Sequence, residues 1–335
     1  MRLSSRLVAC GIAAIALACA GARIVAPEPL DIWGFTAPWD PRSDASVRGH
    51  ASELDAVVYG WIPLDTATAL PTSLYDDTLS RHAPPTTRRM ALVTNWQGST
   101  FHPATIRRLA GDTSLLARSA GTLARRVKRL GYGGVVLDLE GVTPADTSAT
   151  IAVARAFTDS LHAHGLGPVG IAVPSIDSLA YPTRSLAGAV DLLVVMLYDE
   201  HWATGTPGPI ASPAWVRRAL EHRVALAGRA HIVAAIPTYG YQWMHGVRDA
   251  RTIGYQDAED AAHRAGVALQ RDSASATVHA ESPGEWELWV SDATSVRALL
   301  DVVRSTGVTH VALWRLGLED PSVWMALDPN RPRAH

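Results

Sequence analysis

Eight short apolar, β-branched runs, separated by amphipathic helical stretches, constrain the fold of this chain more than any other feature. They are Ile32 to Thr36, Ala56 to Ile62, Met90 to Trp96, Gly134 to Glu140, Val169 to Val173, Leu192 to Tyr198, His231 to Tyr239 and Thr309 to Arg315. Strands this continuously apolar are buried on both faces, which is the condition of a parallel sheet covered by helices. Helical periodicity falls between them: Ser114 to Leu130 closed by Gly131, Ala145 to His164 closed by Gly165, Ala214 to Arg223, and Thr294 to Ser305 closed by Gly307. The pattern predicts an α/β fold, a closed (β/α)8 TIM barrel. An open doubly wound sheet is disfavoured because Gly131-Tyr132-Gly133 precedes a strand and lacks a third glycine. A dinucleotide loop must instead follow a strand, so that phosphate meets a helix N-terminus.

The interval from Tyr239 to Thr309 is longer than one βα unit needs. A helical stretch at Tyr255 to Ala265 and a hairpin of Ala276 to Glu281 with Glu285 to Ser291 around Pro283-Gly284 predict a small α+β insertion, placed at residues 245–291, between strand seven and the last helices. At the other end, Arg2 and Arg6 flank the start of an apolar stretch, Leu7 to Ala18, too short to span a bilayer comfortably, and small residues follow. Residues 1–22 are expected to be an export signal, leaving 23–335 as the barrel. Ala16-Leu17-Ala18-Cys19 resembles a degraded lipoprotein cleavage box, whereas Ala18-Cys19-Ala20 and Ala20-Gly21-Ala22 suit ordinary cleavage. The expected location is therefore periplasmic, extracellular or lipid-anchored, with membrane attachment only through an anchor at Cys19. Both cysteines, Cys10 and Cys19, lie in this segment, which rules out an internal disulfide framework after processing.

The chemistry is concentrated in Gly131 to Val142, "GYGGVVLDLEGV". Alternate residues of a strand share a face, so Asp138 and Glu140 point the same way as Gly134 and Val136, which in a barrel is inward. Both stand at the C-terminal end of the fourth strand, the edge where barrel enzymes carry their sites. Two carboxylates this close repel when both are ionised, which raises the pKa of one and keeps a proton available near neutrality.

Asp138-Leu139-Glu140 resembles the end of the D-G-x-D-x-D-x-E signature of family 18 glycoside hydrolases, although Gly133 and Val136 replace the two earlier acids. Met196-Leu197-Tyr198-Asp199 on strand six resembles the family's M-x-Y-D, and Leu313-Trp314-Arg315 on strand eight its sugar-platform tryptophan. "MLYDEHW", "PGPIASPAWV", "IPTYGYQW" and "LWRLGLEDPSVW" are similar to the branch holding spore-cortex-lytic N-acetylglucosaminidases and the family 18 domains fused to polysaccharide deacetylases.

The resemblance implies substrate-assisted hydrolysis of an N-acetylglucosamine-containing polysaccharide: peptidoglycan, poly-N-acetylglucosamine or a chitin-like polymer. It implies Glu140 as acid and base, Asp138 as holder of the acetamido N–H, Tyr198 as donor to the acetamido oxygen and Asp199 as electrostatic support of Tyr198 and Asp138. Trp314 is implied as the floor beneath the sugar, and Trp39, Tyr239 and Trp243 as further substrate-binding residues. The branch's Y-G-Y-D-W stands here as Tyr239-Gly240-Tyr241-Gln242-Trp243. A glycan-binding barrel that has lost turnover is the alternative, favoured by the two missing acids and opposed by the retention of Glu140.

No cofactor is required. Asp199-Glu200-His201 invites a metal, but neighbours on an extended strand face opposite ways, and no H-E-x-x-H occurs, so no metal site is expected. No G-x-S-x-G elbow supports a serine nucleophile. A formal charge of -2 provides no field for capturing nucleic acid.

Overall fold

The computed structural model describes residues 28–72, 83–176 and 178–327. The expected export signal at 1–22, with Cys10 and Cys19, lies outside the described residues.

Eight parallel strands close into a barrel: β1 (Asp31–Phe35), β2 (Ala56–Pro63), β3 (Arg88–Thr94), β4 (Gly134–Asp138), β5 (Val169–Pro174), β6 (Leu192–Met196), β7 (Ile232–Pro237) and β8 (His310–Trp314). Each pairs with its sequence neighbours, and β1 against β8 closes the ring. Side chains sort strictly by parity. Val135 and Leu137 of β4 pack outward against the helices, with Val57, Tyr59, Ala91 and Val93 of β2 and β3. Val136 faces inward with Val58, Met90, Leu92 and Val194. The barrel centre is thus a packed core, and the site can only lie at its mouth.

A bulge in β2 breaks this parity. The β2–β3 register shifts between Tyr59 and Ile62, where Gly60 takes φ 59°. A side chain at 60 would put its Cβ 2.1 Å from the Tyr132 hydroxyl, so glycine is required. The extra residue turns Trp61 into the barrel interior, where uninterrupted alternation from Val58 would have turned it out.

The covering helices start and stop on ordinary chemistry. Asp40 caps Pro41–His50, Asp112 caps Thr113–Leu130, and Gly131 ends the latter in the left-handed region. Between β7 and the helix Ala293–Ser305 sits a five-stranded sheet in the order Arg251–Ile253, Gly240–Met244, Trp286–Val290, Val278–Ser282 and Gln270–Arg271, with the helix Tyr255–Ala265. The insertion expected over 245–291 therefore takes in Gly240–Met244 as well, which lay between the expected end of strand seven at Tyr239 and the expected insertion. One face of this sheet packs Trp286, Leu288 and Val290 on the helix. Tyr241, Trp243 and Trp289 on the other face pack toward Tyr198 and Trp314 of the barrel.

Candidate active site

Asp138 is the last residue of β4, and Glu140 lies two residues beyond the strand rather than on it. Both line a cleft of about 780 Å³ at the C-terminal mouth of the barrel. The register pairs Thr94 with Asp138, and Asp138 hydrogen-bonds both the Thr94 hydroxyl and the Glu140 carboxyl. Burial, then the charge and hydrogen bond of Asp138, then the charge of Asp199, hold the Glu140 carboxyl well above the usual glutamate range. Burial also pushes Asp138 up, and its bonds with Glu140 and Thr94 pull it back. Burial and the neighbouring carboxyl thus favour the protonated form of Glu140, the form that a general acid needs.

The position of Val136, beneath Asp138 on the same face, is where the family signature has an acid. Here it is fully buried among Met90, Leu92 and Val194. Asp138 therefore has its polar partners only above and beside it, in Glu140 and Thr94.

Tyr198 follows β6 and stacks on Trp314 of β8, with ring centroids 6.0 Å apart and planes 13° apart. Burial first, then the charges of Glu140, Asp138 and Asp199, hold its phenol well above 10, so it remains a neutral donor. Trp314 is braced edge-on by Phe35 at 5.7 Å and precedes a cis peptide bond to Arg315. Trp39 stands on the rim, 53% exposed, with its ring 4.7 Å from that of Trp61 and nearly perpendicular to it.

Asp199 takes φ 60°, a conformation costly for a residue with a side chain. Its carboxylate accepts from the hydroxyls of Tyr239 and Tyr241, the latter at 3.1 Å. These hydrogen bonds go to Tyr239 and Tyr241, while the charge of Asp199 acts on Tyr198 across space. Burial raises its pKa and the two phenols lower it.

Tyr239 and Trp243 do not line the cleft, which corrects the expectation that they touch substrate. Both are buried, Tyr239 through its bond to Asp199 and Trp243 edge-on to Tyr241 at 5.5 Å. They support Asp199 from behind. The cluster Asp199-Glu200-His201 is dispersed: Glu200 accepts from the backbone N–H and hydroxyl of Ser212 at 2.6 and 3.0 Å, and the His201 ring meets the Thr206 carbonyl. Among the described residues no group of His, Cys, Asp and Glu is arranged to hold a metal.

Four cleft-lining aromatics were not among the expected site residues: Phe35, Trp61, Trp96 and Phe101. Trp96 is 37% exposed and packs edge-on to Phe101 at 4.9 Å, across the hairpin formed by Trp96–Gln97 and Thr100–Phe101. The aromatic surplus, eleven tryptophans against three phenylalanines, was the available signal, but it does not say which ring faces the cleft.

No protein-family model matches the chain. The cortical fragment-lytic enzyme of Bacillus subtilis (strain 168) is 25% identical over 256 residues, 72% of this chain. The chain is thus a homologue of that enzyme. The match spans 59% of that enzyme's length, less than two thirds of it. Among solved structures, the spore cortex-lytic enzyme SleL of Bacillus megaterium QM B1551 superimposes with a TM-score of 0.82 at 20% identity, covering 91% of this chain and 75% of SleL. The chitinase of Chromobacterium violaceum ATCC 12472 gives 0.78 at 23% identity, covering 89% and 98%. These two likenesses establish that the homologue shares their barrel.

Proposed function

We propose that the chain is a retaining glycoside hydrolase of N-acetylglucosamine-containing bacterial polysaccharide, acting by substrate-assisted catalysis. The observation that carries this reading is the Asp138–Glu140 carboxyl pair, hydrogen-bonded together in a cleft that Trp314 also lines. A flat indole suits the apolar C–H face of a pyranose, and the carboxyl pair lines the same cleft.

Glu140 donates its proton to the leaving oxygen as the acetamido carbonyl of the same sugar attacks the anomeric carbon, closing an oxazolinium ring. Asp138, left ionised, accepts the acetamido N–H and balances the developing positive charge. The neutral Tyr198 hydroxyl donates to the acetamido oxygen. Glu140, now a carboxylate, takes a proton from water attacking the anomeric carbon from the face the leaving group vacated. Two displacements at one carbon retain its configuration.

Similarity to a cortical fragment-lytic enzyme favours bacterial cell wall over chitin among substrates presenting the acetamido group. Export, with or without lipid attachment at Cys19, belongs to the same proposal, and the intact mass of the native protein tests it: an unprocessed Met1 contradicts it.

Glu140→Gln is expected to abolish release of reporter from an N-acetylglucosamine oligosaccharide while leaving its binding within a few-fold. Equal turnover by variant and parent removes Glu140 from the mechanism. The apolar Val136 beneath Asp138 favours one second reading, a glycan-binding barrel without turnover. Wild-type protein that binds these oligosaccharides and cleaves none of them establishes it instead.

A further inference from the structure

Glu140 acts from beyond the end of its strand, so something other than the β4 ladder must fix it. Asn95 does this with both ends of its amide. Its Oδ1 accepts from the Glu140 backbone N–H at 2.9 Å, and its Nδ2 donates to the Glu140 carbonyl at 2.8 Å. The two bonds replace the pair that a neighbouring strand would have made, and Asn95 is fully buried, so water does not compete for them. The Asn95 backbone N–H also reaches the Asp138 carbonyl at 3.4 Å.

The same residue is the base of the hairpin that carries Trp96. Its carbonyl accepts from the His102 N–H at 2.9 Å, which closes the hairpin, while Thr94 accepts from the Trp96 N–H at 3.0 Å. Phe101 packs on the turn after Glu140, where a side chain at Gly141 would bring its Cβ within 3.1 Å of the Phe101 Cβ. The Gln97 side chain ties the outer end to the Thr66 N–H at 2.8 Å. Acid and hairpin therefore share one support.

Resting on the proposed hydrolase reading, we infer that Asn95 is a positioning residue for Glu140: its amide holds the acid's backbone in register with the aromatic hairpin that grips the substrate. No shorter or singly bonding side chain can serve both the N–H and the carbonyl of residue 140. Asn95→Asp keeps the acceptor, loses the donor and sets a carboxylate beside the acid's backbone, whereas Asn95→Ala removes both bonds.

The test is steady-state kinetics on an N-acetylglucosamine oligosaccharide for wild type, N95A, N95D and Trp96→Ala, with concentration corrected for folded fraction. A displacement of the acid by about 1 Å costs on the order of a hundredfold in turnover. N95A is expected to lower kcat by about that factor with KM within about threefold, and W96A, one residue on, to raise KM with kcat nearly kept. N95D is expected to shift the alkaline limb of its pH–rate profile upward, because an added negative charge near Glu140 holds its proton more tightly. Loss of fold alone moves neither the split nor the limb. Wild-type kcat in folded N95A overturns the inference while leaving the hydrolase reading intact. Absence of turnover in the wild type overturns both.

Discussion

At the scale of single residues, the account turns on why Glu140 keeps a proton that an exposed glutamate would lose. Burial is the largest cause and the Asp138 charge the next. A general acid works only while protonated, so the rate falls as pH rises through its raised pKa. Asp138→Asn removes the neighbouring charge but not the burial. Its residual activity is expected to show an alkaline limb displaced to lower pH than the wild type, though still above the ordinary glutamate range. A limb that stays in place contradicts the assignment, and pH–rate profiles of the two proteins decide it. Both carboxyls line the cleft, as alternation from Gly134 leads one to expect, although the strand itself ends at Asp138. Trp61 was not legible in the sequence, since the Gly60 bulge reverses its face. Nor was Asn95, whose partner lies 45 residues away and is backbone, which no side-chain pattern advertises.

At the scale of elements, the loop after β5 is held by one buried guanidinium. Arg223, fully buried on the helix Pro213–Ala227, donates to the carbonyls of Pro174 and Ile176 at 2.6 and 2.8 Å, and of Tyr181 at 3.4 Å, and to the Thr183 hydroxyl. Tyr181 in turn donates to the Leu139 carbonyl at 3.0 Å, between the two acids. Arg223→Met leaves several buried carbonyls without their donor and is expected to cost about 3 kcal/mol, measured by denaturant unfolding. A loss under about 1 kcal/mol would show that the loop holds itself. The sequence pattern ended this helix at Arg223. The helix runs on to Ala227 because the charge is satisfied inside by carbonyls from another loop. The eight strands and the longer helices were legible, since burial on both faces and a 3.6-residue period leave strong marks. The strand Gly240–Met244 was left between the expected strand seven and the expected insertion, because only Thr238 and Tyr239 separate it from Pro237.

At the scale of the whole molecule, barrel and aromatic hairpin line one cleft, and the inserted sheet stands behind it, with Tyr241 bonded to the cleft-lining Asp199. With a formal charge of -2, binding a largely uncharged glycan relies on stacking and hydrogen bonds rather than on a long-range field. Raising sodium chloride from about 0.05 to about 0.5 M is expected to change kcat/KM on a neutral oligosaccharide by less than about twofold, and a tenfold fall would point to charge steering. The central claim is that the sugar's own acetamido group and the Glu140 proton together cleave the bond. Proton NMR of the first minutes of a wild-type digest of a β-linked N-acetylglucosamine oligosaccharide tests it most directly. The account predicts new reducing ends that appear first as the β anomer and mutarotate afterwards. First appearance of the α anomer, or no cleavage, contradicts it.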